Sequence, residues 1–180
     1  MERAVRVKSN WFNFIHMVEG KESQEGNLHG HSARFVLEIE SETNDISNII
    51  DHDAVKRFLN KITDRLDFKI FICKKMAKET MQKTHYIIRF ISKLGEVELK
   101  IPTSQVVLTD NTASHSYIVQ LTMKSILDYL TKIFKTEARV FEFISRIKLA
   151  LFVGPETVYS LMVTKDNFSE TLTWSSISTF

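Results

Sequence analysis

Apolar and polar positions change period several times along the chain, and each change predicts an element. From about Val5 to His16 the residues Val, Trp and Phe recur with polar interruptions and no helical spacing, which predicts a first strand. Met17 to Asn27 is polar, with Gly20 and Gly26 among Glu, Lys, Ser and Gln, and reads as an exposed loop. His31 to Glu40 alternates as a half-buried strand does, until Thr43-Asn44-Asp45 breaks it. Asp53 opens a helix in which Val55, Phe58, Leu59, Ile62 and Leu66 fall three and four apart. The segment from Phe68 to Thr84 has no decisive period. Tyr86–Phe90 and Glu96–Lys100 flank Leu94-Gly95 and predict a hairpin. Asp110 to Ser114 supplies capping residues for a long helix with Val119, Met123, Ile126, Leu127, Leu130, Ile133 and Phe134 on one stripe. Phe143–Phe152 and Val158–Val163 then read as strands joined through Gly154-Pro155-Glu156. Neither the helical stripes nor the apolar strand faces are stable in water, so helices must cover an antiparallel sheet and the class is α+β.

Composition narrows the picture. At 180 residues the chain suits one core better than two, so a single domain over residues 1–165 is expected, followed by a Ser/Thr-rich tail, 166–180. With 43% hydrophobic and 26% charged residues it has the balance of a globular domain. No apolar run approaches the ~20 residues of a membrane span. The charged start, Met1 to Arg6, lacks the apolar stretch of a secretion signal, which predicts a cytoplasmic protein with no membrane partner. Basic and acidic residues, 24 and 22, are interspersed without a basic stripe, so no nucleic-acid partner is expected. Lys74, Lys75, Lys78 and Lys83 make the one local basic cluster and read as a solvated face. Cys73 is the only cysteine, has no neighbour that would lower its pKa, and reads as a buried thiol.

Histidines carry the candidate chemistry. On a strand, His29 and His31 share a face, with Gly30 adding no bulk between them, and the same face continues as Ala33, Phe35, Leu37 and Ile39. His16 closes the preceding apolar strand and is placed to add a third imidazole. Three neutral nitrogens with one open position suit Zn2+ better than magnesium or calcium, and the open position suits a substrate. Two strand histidines with ordinary partners are the competing reading of the same spacing.

The order of elements, with His16 and the motif Leu28-His29-Gly30-His31-Ser32, resembles the 6-pyruvoyl tetrahydropterin synthase family, which includes 6-carboxytetrahydropterin synthases and enzymes making 6-hydroxymethyl-dihydropterin. The likeness runs from about Phe12 to Val163. It takes in Asp51-His52-Asp53 with Val55-Lys56, Leu66-Asp67, Asn111-Thr112-Ala113-Ser114-His115 and Val153-Gly154-Pro155-Glu156. The resemblance implies a T-fold, a four-stranded antiparallel sheet with two helices on one face in the order ββααββ, here with an extra hairpin between the helices. It also implies homo-oligomers, trimers pairing into hexamers with active sites between subunits. The implied activity is that of a zinc-dependent lyase on 7,8-dihydroneopterin triphosphate or a related pterin, in pterin, folate-type or deazapurine biosynthesis. Zn2+ is implied at His16, His29 and His31. Glu25, with Glu22 nearby, stands where the family commonly has a cysteine base, and members with glutamate there resemble side-chain-cleaving enzymes. Asp67 corresponds to the family's relay aspartate, but the histidine that follows it in the family is Phe68 here. Thr112, His115 and Glu156 are the implied substrate contacts, although the family's ring-gripping glutamate is replaced by Val153. His52 and His115 are candidates to restore a proton shuttle. A degenerate paralogue that keeps the metal as a ligand-binding or interaction module is the alternative, and a purely structural T-fold protein is the third reading.

Overall fold

A computed structural model describes residues 4–19, 26–41, 46, 50–110 and 114–168. The chain divides into two compact units. The first comprises Met1–Trp11, Ala33–Arg65 and His115–Phe180, and the second Phe12–Ser32 and Leu66–Ser114.

The first unit is built on antiparallel strands. β1 (Ala4–Lys8) pairs with the second half of β3 (Gly26–Glu40), Val7 opposite Leu37. The same half of β3 pairs with β9 (Arg146–Val153), Phe35 opposite Leu151 and Ile39 opposite Ile147. β10 (Glu156–Thr164) completes this sheet on the far side of β9, with an irregularity between Thr157 and Tyr159. Alternation puts Ala33, Phe35, Leu37 and Ile39 on one face with Ile147, Leu149 and Leu151, all fully or nearly fully buried, as the period-2 pattern requires.

The helices of this unit bury the stripes their sequences predict. α1 (His52–Leu66) is capped by Asp51, whose Oδ1 accepts from the Asp53 amide at 2.8 Å, and it buries Val55, Leu59 and Ile62. α2 (Ser114–Phe134) buries Val119, Met123, Ile126, Leu127 and Leu130, whereas Ile133 at the stripe's margin is 41% exposed. Phe58 of α1 stacks on Tyr129 of α2 at 4.2 Å, a pair contributing about 0.5–1.5 kcal/mol beyond its burial. Lys135, in the left-handed region at φ 70°, ends α2, and Thr136 caps a short α3 (Glu137–Phe143). The stretch before β9 is therefore helical as far as Phe143, and the strand begins at Arg146.

In the second unit β2 (Phe12–Glu19) lies beside the first half of β3 and pairs in parallel with β4 (Lys69–Cys73), His16 opposite Phe71. β4 pairs in parallel with β8 (Val106–Thr109). The expected antiparallel sheet is thus extended by short parallel strands. β5 (Ala77–Glu79), β6 (His85–Ser92) and β7 (Gly95–Pro102) form a separate antiparallel sheet, so the anticipated hairpin carries a third strand. Its inner face, Ile88, Phe90 and Ile101, packs with Met17 and Ile72. Cys73 is buried, as its apolar neighbours suggest.

The first strand of the sequence is two strands rather than one. Ser9 interrupts it: its amide donates to the Phe35 carbonyl at 3.0 Å, while its Oγ accepts from the Phe35 amide at 2.9 Å. A side-chain oxygen replaces a ladder carbonyl at that point, and β2 restarts at Phe12.

Candidate metal centre

Within the second unit, β2 and the first half of β3 bring two of the three predicted histidines together, His16 and His31. Phe12, Phe14 and His16 alternate onto the buried face of β2, at 0%, 1% and 6% exposure. On β3, His31 is half-buried and His29 exposed. The Nε2 atoms of His16 and His31 approach to 2.9 Å, one imidazole donating N–H and the other accepting. Their ring centroids are 4.9 Å apart. The ring of His29 stands further out, 5.9 Å from His16 and 6.4 Å from His31.

This donor set fits a zinc ion. Nitrogens bound tetrahedrally at about 2.0–2.1 Å lie about 3.3 Å apart, so His16 and His31 need only a few tenths of an ångström of separation to share one ion. An all-imidazole cluster is a poor match for magnesium or calcium, which take oxygen ligands. Burial, followed by the nearby His29, holds the His31 pKa below the usual histidine value. The lowered pKa favours the neutral imidazole, the form that ligates a metal ion.

Aromatic packing supports the pair from behind. The Phe14 ring lies 5.5 Å from His31, 6.0 Å from His16, 5.8 Å from Phe12 and 5.7 Å edge-on from Phe71. The sequence gives no direct sign of this role, although alternation alone places Phe14 on the face of His16.

The other predicted residues are distributed as follows. Asp67 sits in the turn after α1, and its Oδ1 accepts from the backbone amide of Asn13 at 2.6 Å. Phe68 follows in the left-handed region at φ 58°, with 73% of its surface exposed. His115 is the second residue of α2, is half-buried, and belongs to the first unit. Glu156 is exposed at the start of β10, opposite Val153 across the Gly154-Pro155 turn. His52 lies within hydrogen-bond distance of the Arg6 carbonyl, 3.3 Å, and of the Asp53 carboxylate, 3.4 Å, a link between the start of α1 and β1. Glu25, Glu22, Thr112 and the tail after Phe168 lie outside the described residues.

Comparison with known proteins identifies the family of the chain. A family model for 6-pyruvoyl tetrahydropterin synthase matches residues 5–140. A putative 6-carboxy-5,6,7,8-tetrahydropterin synthase from Pyrococcus abyssi is 30% identical over 135 residues, covering 71% of this chain and 80% of the relative. The fold is shared with the 6-pyruvoyl tetrahydropterin synthase of Plasmodium falciparum, at a TM-score of 0.65 and 17% identity, over 91% of this chain and 99% of that one. A Plasmodium vivax 6-pyruvoyltetrahydropterin synthase in which a catalytic glutamate is replaced by alanine superposes at a TM-score of 0.62 with 14% identity, over the same shares of each chain. The family model and the Pyrococcus relative place the chain in the pterin-synthase class. The protein belongs to the 6-pyruvoyl tetrahydropterin synthase family and has its T-fold.

Proposed function

We propose that the chain is a zinc-dependent lyase acting on 7,8-dihydroneopterin triphosphate or a closely related pterin, with the ion held by His16, His29 and His31. The observation that carries this reading is the convergence of the His16 and His31 Nε2 atoms at 2.9 Å, with the His29 ring centroid 5.9 Å from that of His16. Zinc bound there supplies a Lewis acid that lowers the cost of negative charge on a substrate side-chain oxygen. Glu25 is the proposed base. It directly precedes Gly26, the first residue of β3, and lies four positions before His29 in the sequence. The Plasmodium vivax relative with a catalytic glutamate offers a parallel for a carboxylate in this role. Glu25 takes a proton from the pterin side chain, and elimination of triphosphate or cleavage of that side chain follows. Thr112, His115 and Glu156 are proposed substrate contacts, and Asp67 an orienting group. Homo-oligomers of trimeric or hexameric order with sites between subunits, and a cytoplasmic location, complete the proposal. No helix among the described residues is long and apolar enough to cross a membrane.

One observation favours a second reading, a ligand-binding paralogue without turnover. Val153 occupies the position where the family places its ring-gripping glutamate, and Glu156, three residues on, is exposed. An aliphatic group there leaves two ring donors of a pterin unpaired, at about 1–3 kcal/mol each. Incubating zinc-loaded wild type and Glu25→Ala with dihydroneopterin triphosphate separates the two. Product from the wild type that is lost in the variant supports the lyase. Equal product from both removes Glu25 as base, and a pterin-induced rise in melting temperature without product supports the binding module.

A further inference from the structure

Asp67 is the family's relay aspartate by resemblance, yet in this chain it has no histidine to relay through. The next residue is Phe68, whose ring has no titratable proton and is 73% exposed. The polar groups around Asp67 converge on another residue, Asn13. The Asn13 amide donates to Asp67 Oδ1 at 2.6 Å, and the Asn13 carbonyl accepts from the Phe68 amide at 2.7 Å. The Asn13 side-chain Oδ1 accepts from Ser32 Oγ at 2.6 Å. Asn13 immediately precedes Phe14, the ring against both imidazoles, and Ser32 immediately follows His31. Asn13 is exposed where Phe12 and Phe14 are buried, so its side-chain bond to Ser32 lies on the face opposite the imidazoles, while its backbone bonds run in the plane of the sheet.

We infer that Asp67, Asn13 and Ser32 form a register clamp that sets how β2 and β3 present His16 and His31 to a metal ion, which makes Asp67 a positioning residue acting through the Asn13 backbone. A strand pair that slips by one residue turns its side chains to the other face, so the imidazole pair exists only in this register. The first bonds of the clamp also seat β2 on β4: Phe68 binds Asn13 one step before the parallel ladder begins at Phe14 and Lys69. The carboxylate is thus used as an acceptor for a backbone amide, a task for which its charge and its proton are dispensable and its oxygen is not. This inference rests on the metal reading above only for its functional consequence; the clamp itself concerns the metal-free strands.

The test compares Asp67→Ala, Asp67→Asn and Ser32→Ala. In zinc-free protein, amide hydrogen exchange at Asn13 and Phe68 is expected to accelerate at least tenfold in Asp67→Ala and to stay within about threefold of wild type in Asp67→Asn, whose amide oxygen still accepts. Zinc affinity, read by competition with a chromogenic chelator, is expected to fall about tenfold in Asp67→Ala and Ser32→Ala, the low end of the loss seen when support of a ligand is removed, and to be restored in Asp67→Asn. Unchanged exchange in Asp67→Ala, or an Asp67→Asn variant as impaired as Asp67→Ala, overturns the clamp. Should Asp67→Ala fail to fold, Ser32→Ala decides, because it removes the side-chain bond across the strands and leaves both backbone bonds intact: wild-type zinc affinity in that variant overturns the inference. A wild type that takes up no zinc refutes the metal centre instead, and the exchange data then decide the clamp alone.

Discussion

Replacing Phe14 tests whether the imidazole pair depends on the aromatic layer behind it. Phe14 is 1% exposed and has ring neighbours on four sides, Phe12, His16, His31 and Phe71, at centroid distances of 5.5–6.0 Å. Truncation to alanine removes a buried aromatic side chain and is expected to cost about 3–5 kcal/mol, a large part of the roughly 5–15 kcal/mol that holds a domain folded. Phe14→Leu is the more informative change. Leucine keeps most of the buried apolar volume but loses the ring–ring geometry with Phe12 and Phe71, each worth about 0.5–1.5 kcal/mol, so a loss of about 1–3 kcal/mol is expected. For a chain of this size that lowers the melting temperature by about 2–12 °C. The imidazoles lose the surface that fixes their ring planes, and zinc affinity should fall about tenfold, or about 1.4 kcal/mol. Urea unfolding of the zinc-free protein gives the first quantity, and chelator competition on the folded variant gives the second. A Phe14→Leu protein with wild-type unfolding midpoint and wild-type zinc affinity would refute the argument that this ring supports the site.

Two further outcomes follow from the same structure. Because His31 has its pKa lowered in the folded state, the unfolded chain takes up a proton more readily near pH 6.5; stability is therefore undiminished above about pH 6.5 and declines as the pH falls through the window between that value and the folded pKa. The zinc-free unfolding midpoint should drop between pH 7.5 and pH 5, and His31→Gln should flatten that drop; identical profiles for the two proteins would contradict it. Gly154, at φ 58° in the turn between β9 and β10, occupies the left-handed region, so Gly154→Ala should cost about 1 kcal/mol and about 2–4 °C in melting temperature, and an unshifted melting curve would show that the turn relaxes without cost.

Much of this architecture is legible in the residues, and where it is not the cause is physical. The alternation from His31 to Glu40, the stripes of α1 and α2, and the hairpin around Leu94-Gly95 are local patterns that report burial directly, and the structure places them as the patterns require. β4 and β8 are different. Each is only four or five residues long and is held by parallel pairing with strands distant in sequence, Ile70 with both Ile15 and Val106, so no local period marks them. The break at Ser9 is set by a hydrogen bond to Phe35, 26 residues away. α3, capped by Thr136, is too short for a stripe to assert itself over the apolar run that follows.

The site divides along the same line. That His16 and His31 face one another follows from strand alternation and from the polar stretch that joins their strands. How far His29 stands from them depends on side-chain rotamers, which spacing does not encode. Asp67 is recognisable by resemblance as a site residue, whereas its partner is not, because that partner is the backbone of Asn13, 54 positions earlier, and an amide N–H has no signature in a sequence.

Metal content measured per chain tests the central claim most directly. Protein purified without chelators, or reconstituted with zinc and desalted, should carry one zinc per chain in the wild type and close to none after His16→Ala, with the variant shown to be folded by its far-ultraviolet circular dichroism. A wild type that retains no zinc after reconstitution, or a folded His16→Ala protein that retains a full equivalent, would contradict the account.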